Sequence, residues 1–311
     1  MSPLQDVLPH GYIDAHHHVW APETMGDRIG YGWLRDIGAM KPFGDPTPIQ
    51  RDYTMEEFLA EAPMPPRASI HVQTDGALPD PVAETAFVQA QADTMGHRVG
   101  IVALADPSSP DLADVLAGHG SYPDFCGVRQ IVGRLEARPD LSFAPRDFLT
   151  EKQWVEGLKR IEGEGLTFDL QIYPEQAEAA LEALSATPAL TVIIDHALSP
   201  YDQTPRGLRL WEQAVEDMAQ RPNTFIKLSG WGMYDPNWDE NDSPGIMAKV
   251  TGILRHFGPE RTMWGSNYPV EKLVTTYMQA MRANLAWIPK DQIENVFLNV
   301  ATRAYGVTLT Q

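Results

Sequence analysis

The sequence predicts an α/β fold, a single (β/α)8 barrel, on three observations. Eight short β-like runs alternate with longer amphipathic stretches. Several of the runs are nearly continuous in apolar or β-branched residues, as parallel strands covered on both faces are. The length of 311 residues suits one barrel of this kind. An open, doubly wound sheet produces the same alternation and is the alternative.

The strand-like runs fall at 12–16, 68–72, 99–104, 127–132, 167–172, 191–195, 224–228 and 261–264. Between them the residues at 81–95 are rich in Ala, Val, Glu and Gln, as a helix favours. The stretch 152–164 has Trp154, Val155, Leu158 and Ile161 at helical spacing. Residues 175–185, 207–220, 246–257 and 274–286 read the same way. The segment 21–66 differs: it is long, rich in Pro, Gly and aromatics, and follows the first strand. In a barrel it lies at the catalytic mouth, where long loops act as lids or substrate walls. No repeat, low-complexity tract or linker divides the chain, so residues 1–311 are expected to form one domain with 21–66 as an active-site loop insertion.

Composition narrows the function. A net charge of −18 argues against nucleic acid, whose phosphates require clustered Lys and Arg. No apolar run approaches the roughly 20 residues of a membrane span, and residues 1–12 do not have the pattern of a signal peptide. The single cysteine, Cys126, rules out an intrachain disulfide and fits a reducing compartment, so a cytoplasmic location is expected. The expected partner is a small molecule, an anionic one included. Assembly into a homo-oligomer is left open.

The segment Tyr12-Ile-Asp-Ala-His-His-His-Val-Trp20 carries the strongest chemical signal. Alternate residues of a strand share a face, so His16 and His18 are expected to point together into the mouth and His17 away. Two imidazoles there can hold a metal or hydrogen-bond a substrate carbonyl. The plain alternative is a structural histidine cluster.

The Asp-x-His-x-His opening resembles that of the amidohydrolase superfamily. Further segments narrow the likeness to the group with sugar-acid lactonases and 2-pyrone-4,6-dicarboxylate lactonase. They are His71-Val-Gln73, Gly127-Val-Arg129, Phe168-Asp-Leu170, Ile194-Asp-His196, Lys227-Leu-Ser-Gly230 and Trp264-Gly-Ser-Asn-Tyr-Pro-Val270. The resemblance implies a TIM barrel that opens a lactone of a sugar acid or aromatic-degradation product by water attack on the carbonyl. It implies His196 as a ligand or polariser beside His16 and His18. His71 becomes a candidate substrate contact. Arg129 could pair with a substrate carboxylate through its planar fork, or form an internal salt bridge. Gln73, Gln171, Tyr173 and Tyr268 are further candidates at the mouth.

One departure matters. The group ordinarily ends its last strand Gly-Ser-Asp, with the aspartate activating water; here the position is Asn267, and Tyr268 replaces a common Trp. An amide cannot act as a general base near neutral pH. Asp14, Asp106, Asp195 and Glu271 are the substitutes by strand-end position. The resemblance allows either no cofactor or one divalent metal ion, zinc first, on His16, His18 and His196. The competing functions are a metal-dependent decarboxylase-like carbon–carbon lyase and a ligand-binding paralogue without activity. Two features are discounted: Asp235–Asn241 lacks the glycine and closing glutamate of a calcium loop, and Cys126 starts a strand at the end away from the mouth.

Overall fold

Eight parallel strands line up in chain order: β1 (Ile13–His17), β2 (Ala68–Val72), β3 (Val99–Leu104), β4 (Phe125–Ile131), β5 (Thr167–Gln171), β6 (Val192–Ile194), β7 (Thr224–Leu228) and β8 (Thr262–Trp264). The structure, a computed structural model, describes residues 3–235, 238 and 244–309. A helix follows each strand: α1 (Met55–Glu61), α2 (Pro81–Met95), α3 (Leu112–His119), α4 (Lys152–Gly163), α5 (Ala177–Leu184), α6 (Pro205–Ala219), α7 (Pro244–Phe257) and α8 (Tyr277–Leu285), with α9 (Val300–Tyr305) at the end. This is the expected (β/α)8 barrel. No helix of the described residues is long and apolar enough to cross a membrane.

Local chemistry accounts for the helix starts. Asp80 caps α2 by accepting from Ala83 N, with Pro81 in the first turn, and Thr204 caps α6 through Gly207 N. Thr276 and Gln279 form a reciprocal capping box on α8. The helix α3 was not anticipated. Segment 21–66 also differs from a plain loop, because its last part is α1, the first barrel helix. The stretch before α1 makes two single-turn helices, Gly26–Ile29 and Gly32–Arg35, and lies over the mouth.

The ring closes just beyond β8. Asn267 N donates to His16 O and His18 N donates to Tyr268 O, both at 2.7 Å. A register shift lies between Asp14 and His17, where three steps along β1 match two along β2. This bulge puts Asp14 against Tyr277 of α8 and His17 against Phe58 of α1, while His16 reaches the strands across the barrel. At the opposite end, α9 packs with Ile13, Ala68 and Ile70. Most of the calcium-like segment, residues 236–237 and 239–241, lies outside the described residues. Cys126 begins β4 and packs with the inner apolar cluster, and burial pushes its thiol up.

Candidate active site

A charged cluster fills the barrel beneath the mouth. Lys227, in the middle of β7, is fully buried, and its ammonium meets Asp169 Oδ2, Asp195 Oδ1 (3.0 Å) and His16 Nδ1 (3.1 Å). Asp195, one residue past β6, also accepts from Arg129 Nη1 and faces His16 Nδ1, each at 3.2 Å. Tyr305 of α9 donates to Asp169 at 2.8 Å. Two cations and two carboxylates thus balance, which is what buried charge requires. Burial opposes ionisation of Asp195, but Lys227, His16 and Arg129 outweigh it and hold the carboxyl well below its ordinary value. Burial wins at Asp169 and raises it against the pull of Lys227.

Above the cluster stand the histidines. The ring centroid of His16 lies 5.0 Å from that of His18 and 4.5 Å from that of His196. His18 Nδ1 is 2.6 Å from Val72 O, so that nitrogen carries the proton and Nε2 is left as a lone pair. Asn267 Oδ1 is 3.4 Å from that Nε2, and Asn267 Nδ2 has no protein partner. His16 Nδ1 faces both an acceptor, Asp195, and a donor, Lys227, so its surroundings satisfy either tautomer; its Nε2 has no protein partner. Burial holds His16 and His18 well below 6.5 and lowers His196 to about 3. All three are neutral near pH 7. An acid limb at an unperturbed histidine value is therefore not expected.

Backbone geometry fixes these positions. His196 to Ser199 all have positive φ, from 47° to 61°, a conformation ordinary residues adopt at a cost. Gly230 (φ 69°) makes room for it, because a Cβ there would lie 2.4 Å from the His196 ring. His196 Nδ1 is 3.1 Å from Ser229 Oγ. Asn267 has φ 55°, which suits asparagine. Gly265 lets β8 approach β1: a Cβ would be 2.6 Å from His16 Cβ.

His18, Arg129, Gln171, His196 and Asn267 all line one cavity of about 720 Å³ at the strand ends. The other expected residues stand elsewhere. Tyr173 donates to Leu141 O, Tyr268 to Thr275 O, and neither lines the cavity. His71 sits behind the wall, accepting from Val19 N. Gln73 is buried with both side-chain polar atoms unpaired, and its carbonyl accepts from Arg129. Arg129 takes the internal role: Nη1 serves Asp195 and Gln171, Nη2 serves Gln73 O, and Nε alone has no partner.

Of the four substitute carboxylates, Asp14 is held by Tyr277, Ser266 N and His16 N. Glu271 accepts from Gly232 N. Asp106 lies at the cavity rim, taking Ser108 N and Oγ. Asp195 alone belongs to the cluster. His16, Asp195 and His196 present donor atoms within 4.8 Å of one another; His18, expected as the third ligand, is outside this group, and its Nε2 lies 3.4 Å from Asn267.

Lys227, Asp169 and Tyr305 had been given no role. The first two had a visible signal, a charged residue in the middle of an otherwise apolar strand. Tyr305 had none.

Comparison with known proteins places this geometry. The family described as Amidohydrolase matches residues 13–307. Uncharacterized protein y4mH of Sinorhizobium fredii is 34% identical over 85% of this chain and 87% of its own length. An L-fucono-1,5-lactonase of Burkholderia ambifaria is 27% identical over 94% of this chain and 91% of its own. Among solved structures, an amidohydrolase from Burkholderia multivorans with bound zinc superposes with a TM-score of 0.77 at 22% identity, covering 96% of this chain and 99% of that one.

Proposed function

The chain belongs to the amidohydrolase family of enzymes, and from that premise we propose that it hydrolyses a lactone at the His16, His18, His196 and Asn267 site. The observation that carries the proposal is His18: its proton is fixed on Nδ1 by Val72 O, and its Nε2 lone pair stands on the cavity beside Asn267. The lactonase name of the Burkholderia ambifaria relative supports the same reaction.

The steps use this chain's own groups. The Asn267 amide orients a water, and His18 Nε2 takes a proton from it as its oxygen adds to the lactone carbonyl carbon. His196, with Ser229 behind it, faces the carbonyl oxygen, and His16 lies beneath. The ring C–O bond then breaks, and the departing oxygen takes the proton from His18 to give a hydroxy acid. Asn267 stands where the family's carboxylate base would be, so the base moves to His18. Asp195 stays ionised and positions His16.

The donor set of His16, Asp195 and His196 fits a zinc ion, since it joins two imidazoles to a carboxylate and leaves His16 Nε2 without a protein partner. Zinc held there would supply Lewis-acid polarisation of the carbonyl. Metal analysis of the purified protein, with activity before and after chelation, tests that point. The reaction is tested by proton release, followed with a pH indicator, across a lactone panel. Acid release is the expected result. Carbon dioxide release from carboxylated phenols would favour a lyase, and tight binding without turnover a binding protein.

A further inference from the structure

The cavity above the histidines is larger and more apolar than a bare lactone ring needs. Its volume of about 720 Å³ is in the range of sites for drug-sized ligands. Trp33 and Phe43 from the loop after β1, Leu112 and Val115 from α3, and Phe143 and Phe148 beyond β4 carry its walls. Trp33 stands at 86° to both Trp20 and Phe43, with centroids 5.5 and 5.7 Å away, so three rings interlock as one surface.

The indoles and cations of this wall are engaged by the protein, while Thr74 Oγ1, Arg129 Nε and Asn267 Nδ2 are left without a partner deeper in the cavity. Trp33 Nε1 donates to Thr74 O at 3.0 Å, and Trp20 Nε1 to Arg51 O at 2.9 Å. The cations lining the cavity are paired: Lys41 with Asp36 (3.1 Å), Arg146 with Glu151 (2.6 Å), Arg129 with Asp195 (3.2 Å). Asp75 accepts from Trp33 N and Ala77 N, and Asp106 from Ser108. Against the Trp33–Phe43 wall a sugar lactone would leave hydroxyls facing carbon, which costs free energy for each unpaired group. An anionic lactone would have to compete with Asp195 for Arg129.

We infer that the site takes an uncharged lactone bearing an alkyl or aryl substituent that lies against the Trp33–Phe43 wall. The inference rests on the lactonase reading for its chemistry and on the cavity wall for the substituent.

Two parallel series test it. The first is five-membered lactones with unbranched alkyl substituents from methyl to hexyl, compared by proton release with hydroxylated aldono-lactones of the same ring. The expected kcat/KM rises about two- to fourfold per added methylene while the chain is being buried. The second is the matching alkyl lactams, which are not hydrolysed under these conditions, measured by calorimetry; their affinity should climb with the same slope. Trp33→Ala should flatten both slopes, and Phe143→Ala does the same work should the first variant fail to fold. A flat alkyl series with preferred aldono-lactones overturns the inference and leaves lactonase chemistry standing. No lactone opened, with lactam affinity still rising with chain length, overturns the chemistry and upholds the substituent. Flat behaviour in both series overturns both.

Discussion

Replacing Lys227 by methionine removes the one cation that Asp169 has. Asp195 keeps Arg129 and His16 in the variant, whereas Asp169 keeps only the Tyr305 hydroxyl. Asp169 is fully buried, so it responds by taking a proton. Burial already raises Asp169 to about 6 in the native protein, so keeping it neutral in the variant costs a further ~1.4 kcal/mol at pH 7 and almost nothing at pH 5, at 1.36 kcal/mol per pH unit. Lys227→Met should therefore unfold at lower urea than the native protein at pH 7, and at nearly the same urea at pH 5. Adding Asp169→Asn should recover most of the loss at pH 7. Fluorescence of the eight tryptophans reports the transition. An equal loss at both pH values, or a double variant no more stable than the single one, would refute the charge-balance account.

Other predictions concern the site and its surroundings. His16→Ala and His18→Ala should each lower kcat by about a hundredfold or more, the scale of a lost acid–base or polarising group, measured by proton release. Asn267→Asp should lower kcat about tenfold and move the acid limb upward, because a carboxylate beside His18 favours its protonated form; faster turnover would contradict this. Arg129→Lys should destabilise the fold by about 1–3 kcal/mol in urea unfolding, since the fork joining Asp195, Gln171 and Gln73 O is lost. Glu84, buried and accepting from Thr74 N, is raised by burial from 4.5 to about 8. A raised acid favours the folded state below its unfolded value, so stability should decline as pH climbs from about 4.5 to 8. Glu84→Gln should remove that decline, gaining up to about 5 kcal/mol above pH 8.

The barrel was legible because buried parallel strands leave an unmixed apolar signal, and each of the eight runs overlaps an observed strand. Short α3 escaped, as did the helix at the end of segment 21–66. The pairing of His16 and His18 was also legible, although simple alternation would have put Asp14 with them. The bulge after Asp14 sends it outward to Tyr277, and a register shift leaves no mark in a single sequence. Arg129 lines the cavity, but its pairing with Asp195 joins residues 66 positions apart. Tyr173 and Tyr268 look alike in sequence to residues that contact a ligand; only the tertiary fold shows their hydroxyls turned to Leu141 O and Thr275 O. Burial holds His18 well below 6.5 and lowers His196 to about 3, so an acid limb below the ordinary histidine value is expected.

For that reason a pH profile alone does not separate a histidine base from a carboxylate, and substitution with chemical rescue does. The central claim is that His18 Nε2 takes the proton from water beside Asn267. In His18→Ala the space vacated opens onto the cavity, where free imidazole can enter. Lactone hydrolysis by that variant should be about a hundredfold slower than native and should recover at least about tenfold with added imidazole, saturating as the cavity fills. Native turnover by His18→Ala without imidazole would contradict the account.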